Sequence, residues 1–252
     1  MPEVDFAELR AEMESEREWR ELEMRLFRNQ VAALSTEDQR RVARKALVVM
    51  LYAHFEGVTK GLLSMYVNRL NALALLVSDV VPSLGAASLS DVFHALRDTN
   101  RKCKDFANAL PDDTALHRFA RDREFVEVAW QIASRTMQIN TDDVVDTESN
   151  LKPVVLKKIL YRLGLNPLLA QPWESVIQQL LNRRNDVAHG TSKSGLDEKE
   201  YASLEQAVTL VVDDLVKAIS EAVARRQYLG STAGATGAPA TPLPPAEAGA
   251  GS

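Results

Sequence analysis

Residues 46–52 read Ala-Leu-Val-Val-Met-Leu-Tyr and are apolar on nearly every side of a helix. A helix that is apolar all round lies inside a core. The sequence Ser-Thr-Glu-Asp at 35–38 precedes this stretch and offers a hydroxyl that can cap free amides and carboxylates that favour the positive end of a helix dipole. We therefore predict a long central helix from this start, bent at Gly57 or Gly61 and ended by Pro82.

The segments around this central helix also have helical periodicity, and none alternates with a period of two for long enough to form a convincing strand. The predicted fold class is therefore all-α. The further helices are expected at residues 4–29, 88–108, 116–137, 152–163, 172–188 and 197–228, with a polar loop at 139–151. The apolar stripe of the first helix consists of Leu9, Met13, Trp19, Leu22 and Leu26. The last two helices form a predicted hairpin.

The chain of 252 residues is acidic, with a formal net charge of -5. Nine acidic residues and five arginines up to Asn29 account for a net charge of -4, so the rest of the chain is nearly neutral. This balance argues against a protein that coats nucleic acid over a broad surface, because such binding depends on many Lys and Arg side chains. A local anion site stays possible.

Several features of the sequence favour a cytoplasmic protein with no role in a membrane. The single cysteine, Cys103, cannot form an intramolecular disulfide, and the charged start of the chain does not resemble a secretory leader. The longest uninterrupted apolar runs, at 46–51 and 72–77, are too short to span a bilayer. The sequence has no glycine-rich phosphate loop, no His-Glu-x-x-His and no paired Cys-x-x-Cys, so we predict neither a cofactor nor a metal.

One segment carries residues suited to chemistry: residues 183–190 read Arg-Arg-Asn-Asp-Val-Ala-His-Gly. Histidine titrates near neutrality and can serve as a general acid or base, whereas the planar guanidinium of arginine stays charged and can stabilise a phosphorane-like transition state. RNA carries its own nucleophile, the 2′-hydroxyl. Arg184 and His189 are therefore candidate catalytic residues for RNA cleavage without a metal.

This segment resembles the Arg-x4-to-6-His motif of HEPN ribonucleases, in which an Asn often follows the Arg and a Gly follows the His. Two further segments support the resemblance: Leu-Tyr-Ala-His-Phe-Glu-Gly-Val-Thr-Lys at 51–60, and Glu-Ser-Asn-Leu-Lys at 148–152, which is followed by Leu-Tyr-Arg-Leu-Gly-Leu at 160–165. Together they are similar to the MAE_28990/MAE_18760-like HEPN family over about residues 35–220.

The resemblance implies a HEPN-like helical bundle at residues 35–229. An acidic N-terminal helix at 1–34 precedes it, and a tail at 230–252 follows it, which its Gly/Ala/Pro-rich composition predicts to be disordered. The expected activity is that of a metal-independent endoribonuclease. Such proteins usually form homodimers in which two motifs face one another, and they commonly serve as toxins paired with an antitoxin or as phage-defence effectors.

Two other functions stay open. A non-catalytic HEPN module would use the same cleft to bind RNA or a partner protein. A nucleotide-binding HEPN partner would belong to a two-component system.

Helix geometry constrains how Arg184 and His189 can act together. On an ideal helix, five positions place the two side chains about 140° apart, so one regular helix does not aim both at one phosphate. Either the helix ends near Ala188 with Gly190 as a left-handed cap, or two chains supply complementary groups, and both can hold.

Four residues are expected to support the site. Asn185 lies one turn before the histidine and can orient it or contact phosphate, and Arg183 can bind flanking phosphates. Glu56 and Lys60 have the spacing of a Glu-x3-Lys element that many HEPN proteins carry on a core helix, although a plain ion pair explains that spacing equally well. His54, beside aromatic neighbours, is interpreted as a buried, hydrogen-bonded histidine rather than a ligand.

Overall fold

The computed structural model describes residues 4–191 and 193–230, and within those ranges the regular elements are helices. The α-helices are α1 (Phe6–Ala32), α2 (Glu37–Ala72), α3 (Pro82–Ser88), α4 (Ser90–Arg97), α5 (Ala115–Ala129), α6 (Thr141–Val144), α7 (Pro153–Arg162), α8 (Glu174–Ala188) and α9 (Glu198–Ala224). The prediction of an all-α protein is confirmed. Apart from Gly230, the predicted tail at 230–252 lies outside the described residues.

Helix α2 is the centre of the fold, and α1, α8 and α9 pack against it. It begins where the sequence predicted, because the Thr36 hydroxyl accepts the amide of Gln39 while the Gln39 side chain accepts the amide of Thr36. The 46–52 stretch buries Leu47, Val48, Leu51 and Tyr52. Its position in the core follows from its apolar pattern.

Helix α2 also contains an 18-residue window with a mean hydropathy of 1.3, which by length and composition alone could cross a membrane. Half of that window is buried inside the protein. The central helix of a helical bundle has these same properties, so this observation is weak evidence for a membrane span.

Helix α1 buries a different set of residues from the predicted stripe. Leu9 and Met13 are fully buried as expected, and Met24 joins them, but Trp19, Leu22 and Leu26 are 46%, 47% and 54% exposed. The prediction that these last three residues share the buried stripe is wrong. Which side of α1 is buried depends on its contacts with α2 and α9, and helical spacing alone does not give those contacts.

The two glycines of α2 accommodate α1. A Cβ atom at Gly57 would lie 2.7 Å from the guanidinium of Arg20, and one at Gly61 would lie 3.0 Å from the carboxylate of Glu16. Their absent side chains therefore let charged groups of α1 approach the central helix. This close approach gives both glycines a role in packing.

The predicted end of the central helix is wrong. Helix α2 ends at Ala72, and Ala74 adopts a left-handed backbone with a φ of 49°. The chain then forms isolated bridges with distant segments, Leu76 with Thr136 and Val80 with Leu229, which local periodicity cannot reveal. Pro82 occupies the first turn of α3, where its missing N–H costs nothing.

The helices in the middle of the chain are shorter than predicted. The helix expected at 88–108 is limited to Ser90–Arg97, the helix expected at 116–137 ends at Ala129, and the expected loop at 139–151 contains the single turn α6. By contrast, α7, α8 and α9 lie within about four residues of the predicted bounds. Helices α8 and α9 pack together as the expected hairpin.

Candidate active site

Helix α8 ends in the arrangement that the sequence predicted for residues 188–190. His189 is the C-cap, and Gly190 has a left-handed φ of 69°. The amide of Gly190 donates to the carbonyl of Val187, and the amide of Thr191 donates to the carbonyl of Asp186. These two bonds make a Schellman motif, which ends the helix and leaves His189 exposed at its last turn.

Arg184 lies five residues earlier, half-buried between α8, α2 and the loop before α7. Its guanidinium carbon is 5.0 Å from the centre of the Tyr52 ring. Its Nη1 donates to the side-chain oxygens of Asn150, at 3.1 Å, and Asn185, at 2.9 Å. An aromatic face and two neutral amides therefore hold the guanidinium in one orientation.

The two neighbouring arginines of α8 differ in whether a carboxylate pairs with them. Arg183 forms an ion pair with Glu200 of α9, with an Nη2 to Oε1 distance of 2.6 Å. Arg184 has no carboxylate within ion-pair distance among the described residues, and its Nε and Nη2 have no hydrogen-bond partner there. Its positive charge is therefore positioned without being neutralised, as an anion site requires.

The loop that carries Asn150 has an unusual backbone. Glu148 and Ser149, neither of them glycine, have positive φ values of 51° and 66°. The amide of Leu151 donates to the hydroxyl of Tyr52 at 2.7 Å, and Lys158 of α7 forms an ion pair with Glu148 at 3.0 Å. These contacts fix the loop so that Asn150 faces Arg184.

Sequence reasoning missed Tyr52 and Asn150 as site residues. Both lie in segments that carry the HEPN resemblance, which was the available signal. Burial, together with the nearby charge of Glu56, raises the pKa of Tyr52 to about 12. The tyrosine is therefore neutral near pH 7 and acts as a hydrogen-bonding and stacking partner of the loop and the arginine.

Glu56 and Lys60 lie on α2 beyond Tyr52. Helices α2 and α8 are antiparallel here, because Tyr52 meets Arg184 while Phe55 lines the same small void as Ile177. Along the helix axes, at 1.5 Å per residue, His189 lies about 7.5 Å beyond Arg184 in one direction and Lys60 lies about 12 Å beyond Tyr52 in the other. No ion pair joins Glu56 to Lys60 in the described chain. The charge of Glu56 acts on Tyr52, the ring that the arginine contacts.

The described chain does not join Arg184 to His189 by a hydrogen bond. Asn185, expected to orient the imidazole, instead accepts from Arg184 with its side chain and from the amide of His189 with its carbonyl. The chain therefore presents a held arginine and an exposed histidine at different angles around α8, in keeping with their spacing of about 140°.

A separate cleft of about 920 Å³ lies between α1, α2 and α9. Its lining includes His54 and Glu205 but neither Arg184 nor His189. Within residues 4–191 and 193–230, no group of three His, Cys, Asp or Glu side chains is arranged to hold a metal ion.

Comparison with known protein families matches residues 9–228 to the MAE_28990-like HEPN family. The chain belongs to the MAE_28990-like HEPN family. The match is wider than the 35–220 span of the sequence resemblance and begins inside α1, whose Leu9 and Met13 are part of the core. No curated protein and no solved structure matches the chain. HEPN proteins are often ribonucleases, and membership of the family supports an RNase or nucleotide-related role.

Proposed function

We propose that this HEPN protein is a metal-independent endoribonuclease in which Arg184 binds the scissile phosphate and His189 transfers protons. The observation that carries the proposal is the half-buried guanidinium of Arg184, which is held by Tyr52, Asn150 and Asn185 and has no carboxylate within ion-pair distance among the described residues. Side chains built in this way bind oxyanions, and Arg184 belongs to the Arg-x4-His motif.

The proposed reaction uses the 2′-hydroxyl of RNA as the nucleophile. A base removes the 2′ proton, the 2′ oxygen bonds to phosphorus, and the bond from phosphorus to the 5′ oxygen breaks as an acid protonates that oxygen. The products are a 2′,3′-cyclic phosphate and a free 5′-hydroxyl. His189 serves as acid or base, and Arg184 stabilises the extra negative charge of the transition state.

The proposed site is composite and forms in a homodimer. Because Arg184 and His189 point in different directions from α8, the histidine of one chain is proposed to reach the phosphate held by the arginine of the other. The proposed setting is cytoplasmic defence or growth control, with RNA as the substrate and an antitoxin or other regulatory protein as the restraint.

End-labelled total RNA, incubated in EDTA, tests this function. Wild-type protein is expected to cleave it, whereas Arg184→Ala and His189→Ala are expected to lose about 100-fold or more in rate. Arg183→Ala is the matched control, because this neighbouring arginine is paired with Glu200. If all proteins are folded and dimeric and none cleaves, the function is that of a non-catalytic module that binds RNA, nucleotide or a partner protein.

A further inference from the structure

Helix α7 has one face that the core does not use. Its buried residues are Val155, Leu156, Ile159 and Leu160, whereas Val154, Lys157, Lys158, Tyr161 and Arg162 are exposed. Tyr161 is 68% exposed and Val154 is 54% exposed. On a helix, residue 161 lies one turn beyond both lysines, so an aromatic ring and two cations share this surface.

The charge of this segment is opposite to that of the protein. The 25 residues from Ser149 to Trp173 contain four cations, Lys152, Lys157, Lys158 and Arg162, and no carboxylate, in a chain with a net charge of -5. Lys158 pairs with Glu148. The other three have no ion-pair partner among the described residues, so their charges are available to an anionic ligand.

This face begins at the proposed catalytic site. Asn150, which bonds to Arg184, is two residues from Lys152 and three from Pro153, the first residue of α7. The Lys158 ammonium lies 3.0 Å from Glu148 in the same loop. From Lys152 to Arg162 the cations then extend over about 15 Å of helix, leading away from the arginine.

We propose that the exposed face of α7 binds the single-stranded RNA that flanks the scissile phosphate, which rests on the function proposed above. Lys152, Lys157 and Arg162 contact backbone phosphates, and the ring of Tyr161 stacks on an unpaired base. A single strand fits this surface because its bases are free to stack on an exposed ring, as those of a duplex are not.

The test measures binding of a short fluorescein-labelled, mixed-sequence single-stranded RNA by anisotropy at several salt concentrations. All proteins carry His189→Ala, so that the RNA is not consumed. Lys157→Gln combined with Arg162→Gln is expected to lower the slope of log affinity against log salt by about 1.4, and Tyr161→Ala to weaken binding about tenfold.

Two matched controls keep this test specific. Lys217→Gln combined with Arg225→Gln removes one exposed lysine and one exposed arginine from α9 and its C-cap. Phe119→Ala removes an aromatic ring that is 65% exposed on α5. Both are expected to bind RNA like the parent protein.

Cleavage and vesicle assays separate this inference from the function on which it rests. If the RNA is cleaved with native His189 present, and the α7 variants bind RNA like the controls, the role of α7 is wrong although the ribonuclease stands. If no RNA is cleaved but binding depends on α7, the α7 surface is supported and the catalytic proposal fails. Loss of binding to anionic phospholipid vesicles, with RNA binding unchanged, would overturn the inference in favour of a membrane surface.

Discussion

Two adjacent arginines of α8 have different partners, and so their charges have different roles. Arg183 is paired with Glu200 across the α8–α9 hairpin, whereas Arg184 is stacked on Tyr52 and bonded to two neutral amides. The first therefore connects two helices, and the second presents a charge to solvent. Arg183 was a candidate for binding flanking phosphates, and its ion pair with Glu200 favours the connecting role instead.

This difference predicts unequal effects of the same substitution. Arg184→Lys keeps the charge but loses the planar guanidinium, in which Nη1 donates to both amide oxygens while the other nitrogens can face a phosphate. We therefore expect kcat for RNA cleavage to fall about 100-fold. Arg183→Lys keeps a cation beside Glu200, and we expect kcat within about twofold of wild type. Equal losses in the two variants, measured at saturating RNA, would contradict the assignment.

The partners of Arg184 also show what sequence spacing cannot provide. Asn185 is its neighbour in the chain, but Asn150 and Tyr52 come from other elements and reach it only after folding. The motif therefore pointed to Arg184 as a candidate, whereas only the fold reveals how its guanidinium is held.

At the scale of the element, helices with strong local signals were predicted well. A capping hydroxyl in the Ser35–Asp38 segment marked the start of α2, and Gly190 marked the end of α8. Two predictions failed where the outcome depends on distant segments. Helix α2 ends at Ala72, before the bridges that follow it, and Trp19 of α1 is exposed rather than buried. Those outcomes depend on tertiary packing, which periodicity does not contain.

The glycines on either side of the α8–α9 turn are expected to differ in importance. Gly190 has a left-handed backbone in open space, so Gly190→Ala should lower the free energy of unfolding by about 1 kcal/mol. A Cβ at Gly195 would overlap the backbone of Arg41 and Val42, so Gly195→Ala should cost about 3 kcal/mol. Urea denaturation measures both, and the opposite order would refute this account of the turn.

The contact between α1 and α2 is expected to weaken in acid. His54 receives a hydrogen bond from Arg20 at Nδ1 and contacts Glu23 through Nε2, so its neutral form fits the contact. The predicted hydrogen bonding is present, but the side chain is partly rather than fully buried. Burial, assisted by Arg20, lowers the pKa of His54 against the opposing effect of Glu23. The unfolded chain then binds a proton more readily than the folded one, and stability is lost as the pH falls below about 6.5.

Urea midpoints at pH 7 and pH 5 measure this effect. We expect His54→Gln to reduce the loss of stability between the two values, because the variant lacks the titrating group. His94→Gln, at an exposed position of α4, is the control and should behave like wild type. A pH dependence that is the same in all three proteins would show that His54 does not couple α1 to protonation.

At the scale of the whole molecule, a composite site predicts complementation between inactive variants. Arg184→Ala and His189→Ala proteins are each expected to be inactive, but subunit exchange should form heterodimers in which one of two sites has both an intact arginine and an intact histidine. Since half of the dimers are then heterodimers, about a quarter of wild-type activity should return. Persistent inactivity, with exchange verified by mass spectrometry, would indicate that each chain uses its own pair.

The most direct measurement of the proposed chemistry uses a DNA oligonucleotide that contains a single ribonucleotide, incubated with the wild-type protein in EDTA. Attack by the 2′-hydroxyl predicts one cut, on the 3′ side of the ribose, with a 2′,3′-cyclic phosphate on one product and a 5′-hydroxyl on the other, and no cut by His189→Ala. Cleavage between deoxyribonucleotides, or undiminished cleavage by His189→Ala, would contradict the assignment of this site as a ribonuclease that uses the RNA's own nucleophile.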